Sequence, residues 1–108
     1  MHPNPYRGEI VAELGGVRRR LRLTLGALAE LEAALEAESL AELFARFEQG
    51  RFTARELIAI IGAGLRGAGN DISDEEVARL ASGQGVPGYV DIAARLLAAA
   101  FPEQADDA

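Results

Sequence analysis

Gly62, Gly64 and Gly67 form a G-x-G-x-x-G run, the spacing with which backbone N–H groups can cradle a pyrophosphate. That chemistry needs a loop that leaves a strand and enters a helix. Here Phe52–Leu57 upstream carries a helix-start signal, and Ala68-Gly69-Asn70-Asp71 downstream reads as a loop. The glycines are therefore read as small residues within a helix that let a neighbour approach closely. Each costs about 1 kcal/mol of helix propensity relative to Ala.

The other reactive side chains have plain structural readings. His2 is the one histidine and lies in a Pro-rich lead-in, so it is assigned no catalytic or metal role. There is no cysteine, which removes disulfides, thiolate metal sites and thiol nucleophiles. Ser39, Thr53 and Ser73 sit at helix starts with no base to activate them. Glu42, Glu56 and Glu76 lie three residues after these caps, where a carboxylate closes a capping box. Glu30, Glu32 and Glu36 read as a solvated helix face. No pair of carboxylates is set apart by burial or a partner, as acid–base work requires. No catalytic residue, metal ligand or cofactor is expected, and the chain does not read as an enzyme.

Arg18-Arg19-Arg20-Leu21-Arg22 is the remaining concentration of charge. Strand alternation puts Arg18, Arg20 and Arg22 on one face, where Glu9 and Glu13 can oppose two of them. A nucleic-acid surface usually interleaves aromatic residues for stacking, and none occur here. The formal net charge of −6 also disfavours nucleic acid. Arg18, Arg20 and Arg22 are instead read as a partner-facing patch on a hairpin whose edge could also take a partner strand.

The elements that position these residues follow from periodicity and punctuation. Gly8–Leu14 and Val17–Thr24 read as strands joined by Gly15-Gly16, a pair suited to a two-residue hairpin turn. That turn sets Leu14 opposite Val17 and Ile10 opposite Leu21, with Ala12 and Leu23 on the same side. The other face carries Glu13 against Arg18, Val11 against Arg20 and Glu9 against Arg22. Thr24 caps a first helix through Leu25, Leu28, Leu31 and Leu35. Ser39 and Glu42 open a second helix, with Leu40, Leu43, Phe44 and Phe47 at helical spacing and Gly50 at its end.

Two starts carry both a capping box and a hydrophobic staple. Thr53 and Glu56 with Phe52 and Leu57 open a third helix near Ala54. Ser73 and Glu76 with Ile72 and Val77 open a fourth, which fails at Ser82-Gly83-Gln84-Gly85. A last helix runs from about Pro87 to Phe101, with Tyr89, Ile92, Ala93, Leu96, Leu97 and Ala100 inward. Its apolar residues cover most of its circumference, so it is either central to the core or docked on a partner. Phe44, Phe47 and Phe52 read as core.

The fold class is α+β: an N-terminal β-hairpin packed on a bundle of four or five short helices. Residues 1–102 are expected to form one globular domain with a flexible lead-in over 1–6, followed by a disordered acidic tail over 103–108. No apolar run reaches the roughly 18 residues of a membrane span, and no signal-peptide core is present. A cytoplasmic protein is the expectation.

Pro5-Tyr6-Arg7-Gly8-Glu9 leading into Leu14-Gly15-Gly16 is one of three phrases that carry a resemblance. The others are Leu23–Glu32 and Gly50-Arg51-Phe52-Thr53 through Gly64–Gly69. Together they make Pro5–Phe101 similar to a small protein family of the tail-gene cluster of gene transfer agents, the phage-like particles of alphaproteobacteria. Members of that family are labelled both tail tube proteins and tail assembly chaperones. The resemblance implies a binding protein whose partners are the tape-measure protein and the tail tube protein, with homo-oligomerisation left open. A location in the phage-like particle also stays open. Two further readings stand beside the chaperone: a structural tail (tube) component, and a small DNA-binding regulator using the Arg-rich strand.

Overall fold

The computed structural model describes residues 8–35, 39–80 and 85–101. The expected lead-in over 1–6, Glu36, the helix end at residues 82–84 and the acidic tail over 103–108 lie outside the described residues.

The sheet is a two-stranded antiparallel hairpin of β1 (Glu9–Leu14) and β2 (Val17–Arg22). Gly15 and Gly16 both take the left-handed backbone, φ 65° and 77°, which a turn of this hand requires and a side chain resists. Once that turn is fixed the register follows, and it is the one read from the sequence: Leu14 pairs with Val17, Ile10 with Leu21, Val11 with Arg20 and Glu9 with Arg22. Ile10, Ala12, Leu14, Leu21 and Leu23 are accordingly buried beneath the sheet.

Five helices follow among the described residues: α1 (Leu25–Leu35), α2 (Leu40–Glu48), α3 (Ala54–Gly67), α4 (Asp74–Arg79) and α5 (Val86–Ala100). The starts are where the caps put them. Thr24 Oγ1 accepts the Ala27 N–H at 3.1 Å. The boxes at Thr53–Glu56 and Ser73–Glu76 are complete in both directions. At Ser39 only the serine half forms, accepting from the Glu42 N–H at 3.0 Å, and Glu42 does not return a bond.

One packing expectation needs correction. Leu25 is 84% exposed, because it falls about 120° around α1 from Leu31, while Ala27 and Leu31 face the core. The helix surrounded by protein is α3 rather than α5. Every residue from Ala59 to Leu65 is buried, with β2, α1, α4 and α5 all packed against α3. α5 buries one face, Gly88, Ile92, Ala93, Leu96 and Leu97, and leaves Asp91, Ala94 and Arg95 exposed.

The glycine run explains how α3 fits there. A Cβ on Gly64 would overlap the Leu96 side chain, and one on Gly67 would overlap the Arg22 carbonyl oxygen. One on Gly62 would overlap the Asp74 carboxylate. The run is thus a set of three contact points, with α5, β2 and α4 in turn. It lies within a helix, so no phosphate-binding loop is formed.

Candidate partner-binding surfaces

The hairpin register places Arg18, Arg20 and Arg22 on the outer face with Glu9, Val11 and Glu13. Arg18 and Arg20 are exposed. Arg22 is half-covered, and its Nε is buried without a hydrogen bond among the described residues. Alternate residues of a strand stand roughly 6.7 Å apart, so these guanidinium groups form a short basic row. Glu13 and Glu9 stand opposite Arg18 and Arg22 as the alternation requires, yet neither couple closes into an ion pair among the described residues.

Arg19 behaves differently, as parity dictates. It turns to the core side, donates from Nε to the Leu14 carbonyl at 3.1 Å, and lines a cleft with Asn70, Ile72, Glu76 and Leu80.

Among the described residues Arg95 pairs with Asp91 within α5, and the other ion pairs act as struts between helices. Arg46 on α2 meets Glu56 on α3 with two hydrogen bonds, 2.7 Å from Nη2 and 3.3 Å from Nη1. Glu56 also accepts the Thr53 N–H at 2.9 Å. The hydrogen bond from Arg46 outweighs burial and holds the Glu56 carboxyl below its ordinary pKa, and the same bond raises Arg46. Arg66 on α3 bonds the Ile72 carbonyl at 2.9 Å, pairs with Glu30 of α1, and stands 3.0 Å from Asp74 Oδ1, off the line of a hydrogen bond. Burial opposes the Arg66 charge, but Glu30 and Asp74 more than offset it and raise its pKa. Glu30 is therefore a tertiary partner as well as part of a solvated face. These carboxylates are each committed to an arginine or a cap, which leaves them no evident role in proton transfer.

A second surface lies between α2 and α5. Phe44, Phe47 and Leu97 are buried at its floor, and Glu48, Val90, Ala94 and Ala98 form its walls, around a cleft of about 390 Å³. Phe44 meets Phe101 edge-on at 6.3 Å, and Phe47 stacks on the half-buried Phe52 at 4.5 Å. These two contacts hold the aromatic floor in place. Val90, Ala94 and Ala98 recur every fourth residue, and Val86, 68% exposed, extends the row by one turn. The row was legible as apolar residues on the outer side of α5, but only the placement of α2 turns it into a groove.

Residues 7–103 match the family described as "Phage tail tube protein, GTA-gp10". The chain belongs to this family. Membership agrees with the resemblance carried by the three sequence phrases and ties the protein to the tail of a gene transfer agent, where a structural role fits. No curated protein and no solved structure matches the chain. Among the described residues no helix is long and apolar enough to cross a membrane. For a tail family, surfaces that bind other proteins are the relevant chemistry. Among the described residues the candidates for such a surface are the basic row on the hairpin and the apolar groove beside α5.

Proposed function

We propose that this member of the gene transfer agent tail family is a tail assembly chaperone. The groove between α2 and α5 takes an apolar helical segment of the tape-measure protein, and the row Arg18, Arg20 and Arg22 faces an acidic surface of the tail tube subunit. The observation that carries the reading is the groove. Its apolar row spans roughly 18 Å along α5, the length over which an amphipathic helix presents three turns of side chains. The role is one of binding, without catalysis or cofactor.

The hairpin supports the same reading. A tube subunit must close rings through an extended sheet, whereas this sheet has two strands of six residues and lies on helices. The family's own description favours a second reading, a structural component of the tail tube.

Co-purification of the tagged protein with the tape-measure and tube proteins of its own gene cluster tests both. Retention of the tape-measure protein, with the chain missing from finished particles, is the chaperone's outcome. A stoichiometric amount in finished particles rejects the chaperone and leaves the structural component.

A further inference from the structure

The two edges of the hairpin are not equivalent. In a two-residue hairpin the residues flanking the turn form a hydrogen-bonded pair, and such pairs alternate along the ladder. Leu14–Val17, Ala12–Arg19 and Ile10–Leu21 therefore exchange the ladder bonds. Glu9, Val11 and Glu13 point their N–H and C=O groups away from β2, and Arg18, Arg20 and Arg22 point theirs away from β1.

Three contacts agree with this parity. Asn70 Nδ2 donates to the Arg20 carbonyl at 3.0 Å, Gly67 lies against the Arg22 carbonyl, and Arg95 Nη2 donates to the Val11 carbonyl at 2.9 Å. The β2 edge is thus covered at Arg20 and Arg22 by the end of α3 and the turn after it, while α5 reaches the β1 side at Val11 through Arg95 and just before the strand, where Gly8 lies against the Ala99 carbonyl. On the β1 edge one carbonyl is occupied. Among the described residues the N–H groups of Glu9, Val11 and Glu13 have no hydrogen-bond partner.

We infer that the β1 edge accepts one antiparallel strand from a partner protein, an extended segment carrying basic side chains on alternate positions. Backbone pairing supplies three donors from β1, and charge selects the occupant. Glu9 and Glu13 flank Val11 on the outer face, so a basic, apolar, basic alternation matches them. A second copy is a poor occupant. Two β1 strands paired about Val11 would set Glu9 against Glu13 on both sides, between chains that each carry a net charge of −6. The β2 edge of another copy is covered by Asn70. Addition at β1 therefore adds one strand and stops. The inference stands apart from the chaperone reading, since either a chaperone or a tail component could use this edge.

The probe is an acetylated, amidated peptide of sequence Lys-Thr-Val-Thr-Lys, titrated to millimolar concentration into the full chain while backbone amide exchange is followed by NMR. The expected result is exchange slowed roughly tenfold at Glu9, Val11 and Glu13. The same peptide N-methylated at its lysines and valine is expected to give no slowing, because it cannot donate to the edge. The double variant Glu9→Lys, Glu13→Lys, altered on a solvent-facing side, is expected to bind roughly tenfold more weakly. No slowing at these three amides overturns the inference, as does equal binding of the N-methylated peptide. Slowing that grows with protein concentration without peptide replaces the partner strand by a second copy.

Discussion

Gly67 rests against the carbonyl oxygen of Arg22, so close that a methyl group at position 67 would overlap it. The end of α3 and the end of β2 are joined at this point by the absence of a side chain. Gly67→Ala is expected to force the two apart and cost about 2 kcal/mol or more, in the range of overpacked cores. Gly26 in α1 is the control, since a Cβ there meets only Thr24 Oγ1 at 3.9 Å. Gly26→Ala should gain about 0.5–1 kcal/mol from helix propensity. Urea denaturation of the two variants beside the parent checks both signs.

Acid should weaken the strut between α2 and α3. The Glu56 carboxyl is held below its ordinary pKa by Arg46, so its contribution is fully present above the unfolded value of about 4.3 and fades as pH falls through the lower folded value. Glu56→Gln should lower stability at neutral pH by about 1 kcal/mol. It should also flatten the loss of stability below that unfolded value. Urea midpoints across an acid series, parent against variant, read both effects. Equal acid slopes would reject the assignment.

Tyr89 is half-buried with a hydroxyl that finds no hydrogen-bond partner among the described residues. Removing an unsatisfied buried hydroxyl relieves a desolvation cost, so Tyr89→Phe should leave stability unchanged or raise it by up to about 1 kcal/mol. Burial also raises the Tyr89 phenol pKa, so its upward-shifted titration should vanish from the absorbance titration of this variant. A clear destabilisation would mean that the hydroxyl has a partner in solution.

The two proposed binding surfaces can be separated by substitutions that spare the core. Ala94 is exposed on the groove wall, so Ala94→Glu should stay within about 0.5 kcal/mol of the parent. It should nevertheless lose the tape-measure protein in co-purification. Arg18→Glu with Arg20→Glu should instead lose the tube subunit and keep the tape-measure protein. Loss of both partners from either variant would show that the surfaces are not distinct.

The sequence alone determined what rests on neighbouring residues. Gly15-Gly16 allowed one turn, and side-chain alternation from that turn fixed the register and both faces of the hairpin. The paired caps and staples at Phe52–Leu57 and Ile72–Val77 placed two helix starts, because a capping box closes within four residues. The placement of Arg18, Arg20 and Arg22 on one outer face was legible for the same reason. Tertiary structure alone decided which helix is surrounded, because apolar residues cover most of both α3 and α5 and only packing assigns the centre. It turned Gly62, Gly64 and Gly67 from a motif into three contacts with distant elements. It made Val90, Ala94 and Ala98 one wall of a groove by laying α2 alongside. It also put Asn70 on the β2 edge and Arg95 on the β1 edge, side chains that lie 50 and 84 residues from the strand carbonyls they bind. Spacing along a chain reports local geometry, and contacts between distant segments depend on how all the elements share one core.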